Sequence, residues 1–515
     1  MTCDREERVV RHVATAARCV FAACLLATLL AGCATPLSPR VDASADAQSE
    51  CIEVFRRVDA AVVRAGVVDG MAARVAGFPY LRVNRFLASY AGEEMTAAQF
   101  AGWMRRLVAL GTDGYAVELG NLAVEDAERL AHDLWDIAER YAWVRQAVAG
   151  CAERLAGLDV ADAERRAELR RAARVPDDYA TWQRIVGLYW LTRVPFAAGI
   201  RRWHAETRSV FARPLAALRV SGRLHAYVPP GDLSTPAHAA GIVARSAENA
   251  LAIPEPRGGD LETLFRAHAP VFEVDVTGEA DEPGEPGWDE NGTPRVVSKQ
   301  PVVYRRATHT RYQGRALLQL NYSIWFPERP KESGWDLLGG RLDGVLWRVT
   351  LGPDGTPWVY DSMHLCGCYH LFFPTVRAAA KPQPDTLDET AFAPQVLPRV
   401  APGERIVVRL ASGTHYVQKV AFAQGPSSGN EYVFAEDDAL RARPLPRGGT
   451  RSIFRPDGIV PGSERAERYF FWPMGIAEPG AMRQWGRHAT AFVGRRHFDD
   501  ADLLERYFVL EERDQ

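Results

Sequence analysis

The pattern of apolar residues changes once along this chain, near residue 212. Before that point apolar side chains recur at three- and four-residue spacing, as at Ile52, Phe55, Val58 and Val62, which is typical of amphipathic helices. Beyond it Pro, Gly and β-branched residues become frequent, and strands joined by turns favour antiparallel sheets packed as a sandwich or an open barrel. The predicted fold is therefore α+β, with an N-terminal helical domain over residues 49–212. A mainly antiparallel, β-sandwich-like domain is predicted over 213–515, ending in a loop and helix segment.

Local signals place individual elements within this frame. The residues Thr96–Gln99 fit a capping box at a helix N-terminus. Gly352–Gly355 is a strong turn between two strands, and Ser412–Gly413 is predicted to join a hairpin. Residues 469–472 are predicted to form a short strand, and 278–293, which are acidic and rich in Gly and Pro, a surface loop.

Composition excludes several classes of protein. The 515 residues are 47% hydrophobic, so buried cores can form. The 62 basic and 65 acidic residues leave a net charge of −3, and no basic excess indicates a nucleic-acid partner. No apolar run after residue 33 approaches the ~18 residues of a membrane-spanning helix.

The N-terminus has the pattern of a secretory signal peptide. The apolar stretch Val20–Leu30 follows several arginines, and its last residue begins the tetrapeptide Leu30-Ala31-Gly32-Cys33. This tetrapeptide resembles the lipobox of bacterial lipoproteins, which implies cleavage before Cys33 and diacylglycerol on its sulfur. Residues 1–32 would then be the signal peptide and 33–48 a flexible tether. Ala34 rather than Asp implies, by the same resemblance, the periplasmic face of the outer membrane.

Four cysteines remain once this signal is set aside. An even number in an oxidising compartment indicates disulfide pairing, and three connectivities are open. Proximity in sequence and location in the same predicted domain favour a disulfide between Cys51 and Cys151. Cys366 and Cys368 would then be paired with each other or free.

The main candidate for chemistry is the segment His364-Leu-Cys366-Gly-Cys368-Tyr-His370. If it is a strand, its four ligand-type side chains point to one face, and a bulge at Gly367 would bring the two cysteines together. Imidazole with thiolate suits zinc or copper. Two alternatives stay open: a strained, redox-active Cys366–Cys368 disulfide, or small core cysteines with structural histidines.

Other residues could complete such a site. Asp361 could orient an imidazole as a carboxylate outside the ligand set. The remaining candidates are histidines from other parts of the β-rich domain, and the sequence does not say which of them converge: His309, His415, His488 and His497.

Two further stretches stand out by composition. Residues 185–200 form the most apolar part of the mature chain, and a buried core helix ending near Pro195 is favoured over contact with the membrane. Residues 472–500 are dense in Arg, His and Trp. They are interpreted as a loop folded over the sheet with Arg–Asp pairs on its surface, rather than as the rim of an anion pocket.

The β-rich part also shows a family resemblance. The aromatic run Leu320–Phe326, followed by Gly340–Trp347 and a later His, resembles secreted necrosis-inducing jelly-roll proteins, which implies a β-sandwich. Only Gly340, Arg341 and Asp343 match the metal motif of that family, whose His and Glu ligands are missing here. Of the common enzyme motifs a single G-x-S-x-G string occurs, at 425–429, and its turn residues favour a loop.

Together these observations predict a lipid-anchored cell-envelope protein with a zinc or copper site around 364–370. One alternative is a non-catalytic envelope protein that binds a protein or cell-wall partner. The other is a thiol–disulfide redox site at Cys366 and Cys368. The predicted membrane contact is the N-terminal lipid.

Overall fold

The computed structural model describes residues 45–134, 144–231, 239–384, 386–401, 403–424 and 429–511. The predicted signal peptide and Cys33 lie outside these residues, as do most of the predicted tether and most of the G-x-S-x-G string.

The N-terminal part is helical, as predicted, but it also contains a β-hairpin that the periodicity did not indicate. Gly77, at φ +78°, makes the turn between the strands β1 (Ala73–Val75) and β2 (Phe78–Val83), which is largely buried. The capping box is confirmed, since Thr96 and Gln99 exchange hydrogen bonds at the start of α3. The helices are α1 (Ala45–Ala65), α2 (Arg85–Ala88), α3 (Ala97–Gly120), α4 (Val124–Asp133), α5 (Val144–Ala161), α6 (Ala163–Ala172), α7 (Thr181–Val186) and α8 (Tyr189–Phe211).

A disulfide joins Cys51 in α1 to Cys151 in α5, as the sequence predicted. Both cysteines lie in a hydrophobic core built from residues between Cys51 and Ala173, with Ile253 added from the second part of the chain. Helices α7 and α8 lie outside that core and pack on residues of the β-rich part, such as Met474 and Val493.

Among the residues that the structure describes, the β-rich part holds most of the strands and four α-helices. The strands are β3 (Arg223–Val228), β4 (Val271–Val276), β5 (Glu285–Trp288), β6 (Pro294–Val297), β7 (Val302–Tyr312), β8 (Arg315–Arg329), β9 (Gly340–Leu351), β10 (Pro357–His364), β11 (Leu371–Pro374), β12 (Ala378–Ala380), β13 (Glu404–Leu410), β14 (Val417–Gln424), β15 (Asn430–Glu431), β16 (Val433–Glu436), β17 (Arg443–Pro444), β18 (Thr450–Arg451) and β19 (Phe508–Leu510). The helices are α9 (Ala239–Ser246), α10 (Gly258–His268), α11 (Arg468–Phe471) and α12 (Leu503–Tyr507).

Two sheets form a sandwich, and together with the N-terminal helices they make the fold α+β. One sheet has the strand order β11-β10-β9-β8-β7-β16 and the other β14-β13-β4-β3-β15. Most pairs are antiparallel, with parallel pairs at β16/β7, β13/β4 and β15/β3. Alternate side chains of β8 and β9, such as Leu320 and Trp347, meet Phe272 and Val408 of the second sheet in one core. Both predicted turns join hairpins, β9 to β10 and β13 to β14.

The opposite face of the six-stranded sheet is covered by the C-terminal segment. Trp325 and Met363 pack there against Val460, Met482 and Phe498. The interpretation of 472–500 as a loop over the sheet holds, but many of its Arg and His side chains are buried rather than on the surface. Two local predictions are wrong. Residues 469–471 form the end of α11 and Trp472 begins a 3₁₀ turn, so there is no strand at 469–472. Residues 278–293 contain β5, whose Trp288 is buried in this second core.

The prediction of a buried core helix at 185–200 is also wrong. Helix α8 continues through Pro195 to Phe211, and the large apolar side chains before the proline face solvent. Periodicity shows that a stretch is apolar, but not whether another element covers it. In the part of the chain that the structure describes, no helix is both long and apolar enough to cross a membrane.

Candidate functional site

The segment from His364 to His370 is the tip of a hairpin, not one strand. Strand β10 ends at His364 and β11 begins at Leu371, antiparallel to it. The N–H of Gly367 donates to the carbonyl of His364 at 2.7 Å, and Gly367 has φ +91°. Glycine was expected to bend the backbone here, and it does so by reversing the chain rather than by a bulge.

This reversal places His364 at the end of β10 and His370 just before β11, and the two histidines have different partners. His370 Nε2 lies 2.8 Å from Oδ2 of Asp361, the carboxylate that the sequence analysis proposed as an imidazole partner. His364 Nδ1 lies 3.4 Å from Oδ1 of Asp343. The four residues of the motif therefore do not enclose one point. Among the described residues, no group of three or more His, Cys, Asp or Glu side chains is arranged to hold a metal ion.

The two cysteines, in contrast, are brought together. Cys366 and Cys368 are free thiols in hydrogen-bonding contact. The hydrogen bond from Cys368 lowers the pKa of Cys366, while the same contact and burial raise the pKa of Cys368 well above its usual value. The pair is thus asymmetric: one sulfur is favoured as thiolate, and the other is held as the proton donor.

Both thiols line a cavity of about 490 Å³, the thiol cavity. Its walls are mostly apolar and aromatic, which is typical of a small-molecule site. One side is α8, and Trp203 of this helix packs against Tyr369 with ring centroids 5.2 Å apart. The remaining walls come from 389–392, 467–479 and 489–496, together with Tyr416.

A few ionisable groups face this apolar space. Burial raises the pKa of Glu467 to about 7, against the opposing effects of Arg465 and Arg329. Burial also raises the pKa of Glu389, although Arg496 opposes it, and lowers that of His204 to about 4. Near neutral pH Glu467 can therefore both accept and give up a proton inside the cavity, which is a property of functional carboxyls.

A second, smaller cavity of about 280 Å³ lies on the other side of Trp203, Tyr369 and Tyr416. His364 lines it, and behind His364 is a buried chain of charges. The carboxylate of Asp343 contacts His364, His415 Nδ1 at 2.8 Å and Arg465 at 3.1 Å. The other ring nitrogen of His415 lies 3.4 Å from Asp281. Each nitrogen of His415 is thus directed at a different carboxylate.

The candidate histidines fall into two groups. His415 joins the cluster around Asp343, and His488 Nε2 lies 3.2 Å from the carbonyl of Leu365 at the hairpin tip. His309 instead contacts the carbonyl of Pro254, and His497 lies among Asp177, Asp178 and Asp500. The structure therefore brings His415 and His488 to the 364–370 segment but not His309 or His497.

Comparison of the chain with protein-family models, with curated proteins and with solved structures found no match in any of the three. The assignment of a function therefore rests on the geometry of the site.

Sequence reasoning missed several residues of the thiol cavity. Glu467 and Glu389 come from segments far apart in the chain, and neither lies in a recognisable motif. The aromatic wall from α8 was treated as part of a helical domain. Only the density of Arg and His in 472–500 hinted that this region contributes, because charged residues retained in an apolar segment are often partnered or functional.

Proposed function

We propose that this chain is a lipid-anchored envelope protein in which Cys366 and Cys368 carry out thiol–disulfide exchange on a substrate held in the thiol cavity. The observation that carries the proposal is the contact between two free thiols at the wall of one cavity. A reactive cysteine needs thiolate character and access, and both cysteines line the cavity.

The exchange has two steps. The thiolate of Cys366 attacks one sulfur of a substrate disulfide, breaking its S–S bond and releasing the first substrate thiolate. Cys368 then gives up its proton and attacks the sulfur of Cys366, which releases the second substrate thiolate and forms the Cys366–Cys368 disulfide. The substrate disulfide gains two electrons, and the cysteine pair loses two. Glu467, with a pKa of about 7, is suited to accept the proton of Cys368.

The walls of the cavity indicate the class of substrate. Phe392, Phe471 and Phe492 expose aromatic surface there, with Phe471 and Phe492 centred 5.4 Å apart. We expect a disulfide flanked by apolar groups, such as a cystine in an apolar segment of an unfolded polypeptide, to bind in preference to a charged one.

The experiment uses oxidised glutathione and purified protein, followed by intact mass. The wild type is expected to form the internal disulfide, and Cys368→Ser to accumulate glutathione on Cys366. Cys366→Ser is expected to react more slowly than Cys368→Ser, because burial still raises the pKa of Cys368 after the contact with Cys366 is lost. Equal rates for the two single variants would contradict the proposal. The Cys51–Cys151 disulfide, present in every sample, serves as the internal control.

A metal site at the two cysteines is a second proposal with less support. What favours it is that the two thiols, which are the soft ligands of the motif, lie together. Zinc and copper content is therefore measured in the same samples. Stoichiometric metal that is lost in Cys366→Ser and blocks the reaction with glutathione would replace the redox proposal. Metal-free, folded and unreactive protein would favour the non-catalytic envelope role.

The lipid anchor is tested separately. The mature wild-type protein should exceed the mass of the bare chain from Cys33 by its acyl groups, and Cys33→Ser should prevent both lipidation and cleavage before residue 33. A mass equal to the unmodified chain would overturn the anchor and, with it, the proposed location on the periplasmic face of the outer membrane.

A further inference from the structure

Helices α7 and α8 expose an unusual amount of apolar surface. The side chains of Trp182, Ile185, Val186, Leu188, Trp190, Leu191 and Val194 are each between 47% and 70% exposed. Tyr469 and Phe470 of α11 are similarly exposed, and the turn that follows α11 packs against both α7 and α8. These nine side chains are called the apolar patch. Patches of this size on a protein surface mark contacts with other proteins or with membranes.

We propose that the apolar patch docks this protein onto a phospholipid surface that contains anionic lipid. The inference goes beyond the thiol chemistry and does not depend on it.

The charges beside the patch favour lipid over a protein partner of mixed charge. Residues 181–205 contain four arginines and no acidic residue; Arg184 is buried, and Arg202 pairs at 2.9 Å with Glu206, the next residue beyond this range. Along the solvent-facing stripe of α8, apolar side chains at Trp190, Leu191 and Val194 give way to exposed Arg201 and Arg202. An apolar end followed by arginines matches the order of acyl chains and phosphate headgroups at a membrane surface. Trp and Tyr are also the side chains enriched at that depth.

The proposed anchor is compatible with this contact. Eleven residues lie between Cys33 and the start of α1 at Ala45, and this stretch can span at most roughly 40 Å. A lipid on Cys33 would keep the chain close to a bilayer without setting its orientation. The patch would set that orientation.

Docking through the patch would also bring the thiol cavity to the membrane. The next turns of α8 after Val194 place Pro195, Phe196 and Ile200 in the cavity wall, and Phe471 follows Phe470 directly. Apolar substrate could then enter the cavity without passing through water.

The test uses sedimentation with vesicles of the chain from residue 33 onward, made without the predicted signal peptide and carrying Cys33→Ser, so that neither a lipid nor the apolar stretch Val20–Leu30 contributes to binding. Vesicles of phosphatidylethanolamine and phosphatidylglycerol are expected to bind it, and phosphatidylcholine vesicles to bind at least fivefold less. Replacing Trp182, Trp190 and Leu191 by Ser should weaken binding at least tenfold. Trp335→Ser is the matched control, because Trp335 is an exposed tryptophan outside the patch. Its replacement should leave vesicle binding unchanged.

Three results would overturn the proposal: no binding of the Cys33→Ser chain to either vesicle, equal binding by the triple variant, or a dimer in sedimentation velocity that the triple variant abolishes. If the triple variant fails to fold, Arg201→Glu takes its place and should lower binding to the anionic vesicles alone. The glutathione reaction, run without vesicles on the same variants, separates failure of docking from failure of the thiol proposal.

Discussion

Nδ1 of His415 lies 2.8 Å from Oδ2 of Asp343, where the loop between β13 and β14 meets β9. The ring of His415 stacks on Phe326 at 3.9 Å, and its other nitrogen faces Asp281. Burial disfavours a charged imidazole, yet the two carboxylates outweigh it and raise the pKa of His415. Although burial alone would raise the pKa of Asp343, Arg465 and His364 hold it well below its usual range.

This relationship predicts how stability changes with pH. A raised folded-state pKa means that the contribution of His415 is fully present below pH 6.5 and is lost as pH rises through the folded pKa. Asp343→Asn should therefore lower the free energy of unfolding by about 3 kcal/mol or more at pH 6, because it leaves buried charges unpaired. It should also flatten the decline in stability between pH 6 and pH 8, measured by urea denaturation.

Asp361→Asn is the matched control for that prediction. Asp361 is an equally buried carboxylate that contacts Arg348 and His370. Burial lowers the pKa of His370 to about 4, so this imidazole stays neutral above pH 6. The control should lose comparable stability and keep the pH-dependent decline. An identical loss of slope in both variants would show that His415 is not the titrating group.

Acid should destabilise the protein through its buried neutral histidines. Burial, reinforced by Arg483, lowers the pKa of His488 to about 3. Such a group contributes stability that is present above pH 6.5 and is lost as pH falls towards the folded pKa. His488→Gln should therefore reduce the fall in unfolding free energy between pH 7 and pH 4.5 by about 3 kcal/mol. The exposed His132→Gln should leave that fall unchanged.

The backbone at the hairpin tip offers a test of packing. Gly367 has φ +91°, and a Cβ there would lie 2.5 Å from the carbonyl oxygen of Ala489. Gly367→Ala should cost about 2 kcal/mol or more and disturb the contact between the two thiols. Gly413 also has a positive φ, +66°, but open space around its Cβ, so Gly413→Ala should cost only the ~1 kcal/mol of the left-handed conformation. Equal losses in denaturation midpoint in Gly367→Ala and Gly413→Ala would mean that the backbone at Ala489 moves to accommodate the added methyl group.

The hairpins and the capping box were predictable because their signals are local: Gly-rich turns and a Thr–Gln spacing act over a few residues. The disulfide followed from counting cysteines and from their placement in one helical region. The geometry at 364–370 was not predictable. A period of two looks the same in a strand and in a tight hairpin tip, and the reversal depends on Gly367 packing against Ala489, more than a hundred residues away.

The same limit applies to the site as a whole. Cys366 and Cys368 were identified because they are close in sequence. Glu467 was not, because its altered pKa arises from burial by segments that meet only in the folded chain. The apolar stretch before Pro195 was visible, but its exposure depends on what packs nearby.

The Cys51–Cys151 disulfide closes a loop of 100 residues. Such a crosslink limits the unfolded chain, and in the chain-entropy model it stabilises by up to ~4.7 kcal/mol. Replacing both cysteines by Ser should lower the free energy of unfolding by about 2–4 kcal/mol in urea. Reductant should lower the midpoint of the wild type towards that of the variant and leave the variant itself unchanged. A wild type insensitive to reductant would indicate that the crosslink contributes little.

Glu467 provides the sharpest test of the thiol cavity. Its charged form raises the pKa of Cys366, opposing the hydrogen bond from Cys368 and the effect of Arg465. Because Glu467 itself ionises near pH 7, the reactivity of Cys366 towards iodoacetamide should rise with pH in a broadened profile rather than a single step. Glu467→Gln removes that charge, so Cys366 should become reactive at lower pH and follow a single ionisation.

The second step should respond in the opposite direction if Glu467 accepts the proton of Cys368. Closure of the mixed disulfide, measured as the release of the second glutathione, should then be several-fold slower in Glu467→Gln. Glu389→Gln is the matched control, since Glu389 lines the same cavity, has a raised pKa and is not among the main causes of the pKa shift of either cysteine. An unchanged alkylation profile in Glu467→Gln would remove this carboxylate from the chemistry, whereas a matching change in Glu389→Gln would point to a general effect of cavity charge.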